Sequence, residues 1–162
     1  MIALDARRLV DLVTREAALL VGVGHPLCGD DAVGSLVVAR VAARFPARAL
    51  DAGPVPECYL GPLAAVPGRP VVFVDAARVD GPPGTWTLAP WGDLARRAGD
   101  THRASLRLLA EVLAGRGVAS WVLGIAPAQF DTGAPLSAPV ARAADEIVAL
   151  LTGALEEVPA DA

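Results

Sequence analysis

Short apolar runs alternate with longer segments of helical periodicity along the whole chain, and this alternation constrains the fold more than any other feature. The clearest run, PVVFVDAA at residues 70–77, is rich in β-branched residues and typical of a strand buried on both faces. Similar runs lie at residues 18–24 and 119–127. The alternation predicts a three-layer α/β/α fold with a mostly parallel, doubly wound sheet of about five strands.

The remaining segments complete the predicted order of elements. A short strand is expected at residues 48–53, and an antiparallel edge strand at residues 84–90. Helices are expected at residues 4–17, 31–45, 56–66, 101–115 and 136–155, with Thr101 as a helix cap. The 162 residues suit one domain, in which residues 1–17 form an N-terminal helical extension of an α/β core.

Composition narrows the class of protein. The net charge of -4 argues against a nucleic-acid-binding protein, which usually carries a basic patch. All 14 basic residues are arginine, which indicates a compositional bias. Two cysteines do not make a disulfide framework. Charges interrupt the apolar positions of the first 20 residues, and no apolar run approaches the ~20 residues that a membrane span needs. We therefore expect a soluble cytoplasmic protein with no membrane partner.

The glycine-rich stretch VGVGHPLCGDDAVG, residues 21–34, begins like a nucleotide-binding loop but lacks the residues that hold phosphate. The third glycine of a dinucleotide fingerprint is replaced by Leu27, and the lysine position of a Walker loop holds an acid. Asp30 and Asp31 at ~4 Å from a phosphate would repel it by about 4 kcal/mol per charge pair. The loop therefore suits a cation, although Asp30 could equally cap the helix that follows.

Further acids and one histidine are expected at the same edge of the sheet. In open α/β sheets ligands bind beyond the carboxyl ends of the strands, and Asp75 ends the clearest strand. His102 precedes Leu106 by four positions, which places it on the buried face of its helix, and a helix N-terminus favours its neutral form. One histidine with the two carboxylates Asp31 and Asp75 suits a divalent metal such as nickel, zinc or iron.

Other interpretations of these residues remain open at the level of sequence. Asp75 could serve packing, and His102 could be a satisfied core histidine. A softer ligand set would use His25, Cys28, Cys58 and His102, because His25 and Cys28 have the spacing of a zinc half-site. Cys28 beside His25 could also act as a nucleophile.

Five segments of the chain resemble motifs of the hydrogenase maturation proteases, endopeptidases that trim the C-terminal extension of the nickel-iron hydrogenase large subunit. The segments fall in the family's order and span about residues 19–152. They are GVGHPLCGDDAVG, DAGPVPECYL, VVFVDAARVDGPPGTW, THRASLRLL and GIAPAQFDTGAPLSAPV. The chain departs from the family pattern at His25, Pro54 and Cys58, where asparagine, threonine and asparagine are usual.

The resemblance implies a function and a set of site residues. Asp31, Asp75 and His102 would bind the nickel already inserted in the precursor, with zinc or another divalent ion possible in isolation. Cleavage would follow a histidine or arginine near the precursor's C-terminal cysteine motif. For the chemistry we ourselves expect metal-assisted hydrolysis, in which Asp51 acts as a base or holds the peptide and substrate contacts come from Gly53, Glu57 and Asp30. We expect a monomer.

Two other functions stay open at this stage. A non-catalytic, metal-dependent chaperone would bind the nickel-loaded subunit without cutting it. Pro54 is compatible with this alternative, because proline in place of the usual threonine removes a hydroxyl and a backbone N–H from the loop. A nucleotide-binding regulatory α/β domain would bind adenine nucleotides, which the two acids of the glycine-rich stretch disfavour.

Overall fold

A five-stranded sheet forms the centre of the computed structural model, which describes residues 2–95 and 104–159. The strands are β1 Leu19–Val23, β2 Ala49–Gly53, β3 Val71–Ala76, β4 Trp86–Pro90 and β5 Ser120–Ile125. Their order in the sheet is β2-β1-β3-β5-β4, with β4 antiparallel to β5 and the other pairs parallel. The predicted fold, a mostly parallel sheet with one antiparallel edge strand, is confirmed.

Helices cover both faces of this sheet. They are α1 Ile2–Thr14, α2 Val33–Ala42, α3 Leu60–Ala64, α4 Trp91–Ala95, α5 Ala104–Gly115 and α6 Ala138–Glu156. Two of the predicted helices begin with a 3-10 turn, at Gly29–Ala32 before α2 and at Pro56–Tyr59 before α3. The predicted cap Thr101 lies outside the described residues, and α4 was not predicted.

Alternate residues of each central strand point into two separate apolar layers. Val72 and Val74 pack with residues of α1, α2 and α6, whereas Val71 and Phe73 pack with Leu63 of α3 and with α5. Successive side chains of a strand point to opposite faces. Asp75 therefore lies on the face that α3 and α5 cover.

The N-terminal helix α1 is part of the core. Its residues Leu9, Leu12 and Val13 have no exposed surface and pack into the layer beside α6. On α1, one carboxylate oxygen of Asp5 accepts hydrogen bonds from Thr87 Oγ1 at 3.0 Å and from the backbone N of Leu88 at 3.2 Å. The edge strand β4 is thus covered by the first helix. No helix within the described ranges has the length and apolar character that crossing a membrane requires.

Two arginines tie the chain together at the edge where the strands begin, here called the amino edge. Arg69 donates from Nε to the carbonyl of Ala17 and from Nη2 to the carbonyl of Ala47, both at 2.9 Å. Arg48 donates to the carbonyl of Val13. Burial, and then the charge of Arg48, lower the pKa of Arg69. These cations stabilise the connections between α1, β1 and β2.

The opposite, carboxyl edge has its topological switch point between β1 and β3, because the chain leaves β1 for β2 on one side and β3 lies on the other. Helix α2 starts directly above this point. A Cβ atom at Gly34 would lie 1.9 Å from the carbonyl oxygen of Val74 and 2.5 Å from that of Val23, so only glycine fits there. In doubly wound sheets this crevice is where ligands bind.

Candidate active site

A sharp turn carries the chain out of β1 into the crevice. Gly24 has φ of +139°, and a Cβ there would lie 1.8 Å from the carbonyl oxygen of Asp31. The backbone N of Gly24 donates to the carbonyl of Gly53 at 3.0 Å, which joins this turn to the end of β2. The glycine therefore allows three segments to meet at one point: the turn, the 3-10 helix and the end of β2.

Asp31 has a half-buried carboxylate with acceptor capacity left over. Its Oδ2 accepts a hydrogen bond from the backbone N of His25 at 2.8 Å. Among the described residues no second hydrogen bond to this carboxylate is found, so Oδ1 is available to a cation or a substrate group. A carboxylate that is oriented by a hydrogen bond to one oxygen, and whose other oxygen is available, is suited to bind a metal ion.

The carboxylate of the adjacent residue, Asp30, is buried in the protein and does not face the crevice. Asp30 has no exposed surface, and its carboxylate accepts four hydrogen bonds from the segment at residues 126–137, between β5 and α6. The donors are the backbone N of Ala128 at 2.8 Å, of Gln129 at 3.2 Å and of Ser137 at 2.7 Å, and Ser137 Oγ at 2.8 Å. Burial alone would raise the pKa of Asp30, but these hydrogen bonds outweigh it and hold the pKa below its usual range.

These contacts give Asp30 a structural role, close to the capping role that the sequence left open. The helix concerned is the distant α6 and not α2, the helix that follows Asp30. Ser137 is the N-cap residue of α6, and its hydroxyl donates to Asp30 instead of accepting from its own helix. The substrate contact predicted for Asp30 gains no support from this geometry, because all four donors belong to the protein.

Asp75 lies on the neighbouring strand at the same edge of the sheet. It is the residue before the end of β3, pairs in register with Gly124 of β5, and is half-buried. One position earlier, Val74 is in register with Gly22 of β1. Asp75, near the end of β3, and Asp31, in the 3-10 helix that follows β1, therefore belong to adjacent strands at the switch point. These two acids are the described part of the predicted metal site.

His102 lies outside the described residues, two positions before α5 begins at Ala104. Helix α5 leads into β5, so its first turn is at the carboxyl edge, and its Leu106, Leu109 and Leu113 pack on the face that carries Asp75. Within the described residues no three groups of the His, Cys, Asp and Glu types are close enough to hold a metal. A three-ligand site therefore depends on His102, which stays a prediction.

The residues expected to handle the peptide border the crevice from the side of β2. Asp51 is exposed, and its Oδ1 accepts from the backbone N of Gly53 at 3.1 Å. Gly53 has φ of +60° and Glu57 is exposed on the following 3-10 turn. Because β2 and β3 are separated by β1, Asp51 and Asp75 are on strands about 10 Å apart. That separation suits a role on the substrate peptide and not in the same ligand set.

The softer ligand set has less geometric support. Nδ1 of His25 accepts a hydrogen bond from the backbone N of Leu27 at 3.1 Å, which occupies one of its two nitrogens. Cys28 is half-buried and Cys58 is exposed. Within the described residues His25, Cys28 and Cys58 do not form a group that could hold a metal. Any such site would again need His102.

A second loop at this edge belongs to the fifth of the resembling segments, but its pairing with the glycine-rich stretch was not predicted. Residues 126–137 are joined to the glycine-rich stretch by a hydrogen bond from the backbone N of Gly133 to the carbonyl of Leu27 at 2.7 Å, and by a β-bridge between Cys28 and Thr132. This loop directly follows β5, which places it at the carboxyl edge. No local pattern, however, indicated that it pairs with a loop about 100 positions earlier.

Comparison with known proteins identifies relatives of one kind. No protein-family model matches the chain. Two proteins of Methanocaldococcus jannaschii named as candidate hydrogenase maturation proteases are similar in sequence. One is 28% identical over 148 residues, covering 86% of this chain and 96% of the relative. The other is 26% identical over 151 residues, covering 86% of this chain and 89% of the relative.

Solved structures show the same relationship. The nickel-iron hydrogenase maturation protease HycI of Thermococcus kodakarensis superposes with a TM-score of 0.79 at 27% identity, covering 93% of this chain and 99% of that one. The Escherichia coli hydrogenase maturating endopeptidase HybD superposes with a TM-score of 0.70 over 86% of this chain and 92% of that one. At 22% identity the second likeness concerns the fold alone.

Proposed function

We propose that this chain, a relative of the hydrogenase maturation proteases in sequence and in fold, is the endopeptidase that removes the C-terminal extension of a nickel-iron hydrogenase large-subunit precursor after nickel insertion. The observation that carries the proposal is the placement of Asp31 and Asp75 at the switch point of a fold shared with these proteases. The relatives are peptidases, which confirms the predicted enzyme class.

The relatives support this reading over the two alternatives. Those compared are named as maturation proteases or endopeptidases, and none as a chaperone or a nucleotide-binding regulator. The loop chemistry agrees, because Asp30 and Asp31 occupy the helix start where a phosphate would need donors.

In the proposed mechanism the nickel of the precursor is part of the substrate. Asp31 offers Oδ1, Asp75 offers its carboxylate from β3, and His102 offers a neutral ring nitrogen from the segment before α5. This set recognises a precursor only once its metal is loaded, because the ligands are hard or borderline donors suited to a divalent ion. Another divalent ion, such as zinc, could occupy the same groups in the isolated protein.

Cleavage itself is assigned to the side of the crevice formed by β2. A divalent ion supplies polarisation of the scissile carbonyl or a lowered pKa of water. Asp51 holds the peptide or takes a proton from the attacking water, and its Asx-type bond to Gly53 N keeps the carboxylate oriented. Gly53 and Glu57 would contact the extended peptide beyond the cleaved bond.

Processing of a purified precursor tests the proposal. The protein is incubated with a nickel-loaded large-subunit precursor, and the product mass is measured by mass spectrometry. A product shortened by the C-terminal extension is expected, and the same precursor without nickel should stay intact. A complex that persists without cleavage would favour the chaperone, and adenine nucleotide binding in calorimetry would favour the regulatory domain.

The cellular location and the oligomeric state are also part of this proposal. We place this protein in the cytoplasm, beside the precursor that it would process. We propose that it acts as a monomer, because one chain carries every residue assigned to the site.

A further inference from the structure

Two large apolar side chains at the carboxyl edge project into water. Leu27 of the glycine-rich stretch is 63% exposed, and Phe130 of the loop at residues 126–137 is 55% exposed. Large aromatic and aliphatic groups in water are disfavoured by roughly 25 cal/mol per Å² of apolar surface. We call these two side chains the Leu27–Phe130 surface.

The backbone beneath this surface is held by contacts that leave little freedom. Gly133 N donates to the carbonyl of Leu27 at 2.7 Å, and Asp30 N donates to the carbonyl of Gln129 at 3.0 Å. The fully buried carboxylate of Asp30 adds its four hydrogen bonds to the same loop. Side chains presented on a pre-ordered backbone lose less entropy when a partner covers them.

The surface is continuous with the candidate active site. Leu27 N donates to Nδ1 of His25 at 3.1 Å, and His25 N donates to Oδ2 of Asp31 at 2.8 Å. Two hydrogen bonds through His25 thus connect Leu27 with the carboxylate of Asp31. A second copy of this chain seated there would lie against Asp31 and obstruct the substrate.

The charge around the surface restricts the kind of partner. Residues 25–29 contain no acidic or basic side chain apart from His25, and residues 126–137 contain only Asp131. Of the two acids that follow Gly29, Asp30 is buried and Asp31 is half-buried and faces the candidate site. The exposed part of these two loops is therefore mainly apolar and uncharged. Such a patch favours an uncharged, apolar protein surface.

We propose that the Leu27–Phe130 surface docks the nickel-loaded large-subunit precursor through an apolar patch beside its C-terminal extension. This inference rests on the proposed function and adds to it the place of contact. Docking here would bring the metal-bearing end of the precursor to Asp31 while the extension runs toward Asp51.

Steady-state processing and direct binding test the surface with one double variant, Leu27→Ala/Phe130→Ala. Both side chains are exposed, so the thermal midpoint should not change. We expect KM and the Kd for the nickel-loaded precursor to rise about tenfold or more, with kcat within about twofold of the original. Val66→Ala is the matched control, because Val66 is 50% exposed near the amino edge, before β3, and should change neither constant.

The outcomes separate this inference from the proposed function. If the unaltered protein cleaves the precursor and the double variant keeps its KM and Kd, the docking surface is refuted and the function stands. If the unaltered protein binds without cleaving and the double variant loses binding, the surface stands and the protease function fails. Absence of both binding and cleavage refutes both, and a dimer that the double variant converts to a monomer assigns the surface to self-association.

Discussion

The two edges of the sheet use their charged side chains differently. At the amino edge, Arg48 and Arg69 donate to backbone carbonyls of neighbouring segments. At the carboxyl edge, Asp30 is engaged in the same way by protein donors, whereas Asp31 receives one backbone hydrogen bond. A charge satisfied by the backbone stabilises the fold, and a charge left partly unsatisfied at the switch point is available for chemistry.

Substitution of Asp31 should have the largest effect on processing, because we assign this residue to the chemistry of the site and not to the stability of the fold. Asp31→Asn should reduce processing of the nickel-loaded precursor at least about a thousandfold, because a neutral amide is a poor ligand for a divalent ion. Stability should change by less than about 0.5 kcal/mol, because the amide oxygen still accepts from His25 N. Rates come from single-turnover assays, and stability comes from urea unfolding.

His102→Gln serves as the companion variant, since it should give a comparable loss of processing if the two residues bind one ion. Normal processing by both variants would refute the metal site. Strong destabilisation by Asp31→Asn would instead show that Asp31, like Asp30, stabilises the fold, and would contradict the different roles assigned to the two acids.

Asp30 should show the opposite pattern. Asp30→Asn places an NH₂ group against N–H donors of Ala128, Gln129 and Ser137, so the free energy of unfolding at pH 7 should fall by about 3 kcal/mol. Residual processing is expected at temperatures where the variant stays folded. Urea midpoints at several pH values measure the effect.

The pH dependence sharpens this prediction. Because the pKa of Asp30 is lowered in the folded protein, the stability from its ionised form is present at neutral pH. It is lost as the pH falls below about 4 and through the lowered pKa. The gap between the original protein and Asp30→Asn should therefore narrow in acid, and a gap that stays constant would contradict the assignment.

The smallest effect is expected at the amino edge. Arg69→Met keeps most of the side-chain length but removes the hydrogen bonds to Ala17 and Ala47, which should cost about 1 kcal/mol. Neither kcat nor KM for the precursor should change. A processing defect in this variant at a temperature where it is fully folded would show that the amino edge also serves function.

The sequence predicted the part of the site that depends on strand endings. Apolar runs stop at Gly24, Gly53 and Asp75, and parallel strands bring such endings to one edge, so the switch-point crevice follows from pattern alone. The family resemblance and the enzyme class were likewise predicted and confirmed by the relatives.

The orientation of the two adjacent acids could not be predicted in the same way. The donors to Asp30 lie 98, 99 and 107 residues further along the chain, and no local period encodes such contacts. The short helix α4 and the 3-10 starts at Gly29 and Pro56 escaped notice because they span only four or five residues. The metal-ligand set, with His102, stays a prediction.

The contact of Asp5 with β4 has a consequence for how the molecule avoids aggregation. The backbone N of Leu88 in β4 is bonded by Asp5, which lies 83 residues earlier in the chain, so this contact forms only after both segments have been synthesised. An unsealed outer strand offers its N–H groups as a template for another polypeptide. Loosening the first helix would therefore expose β4 to pairing with another chain and promote aggregation, without any change in the crevice at the carboxyl edge.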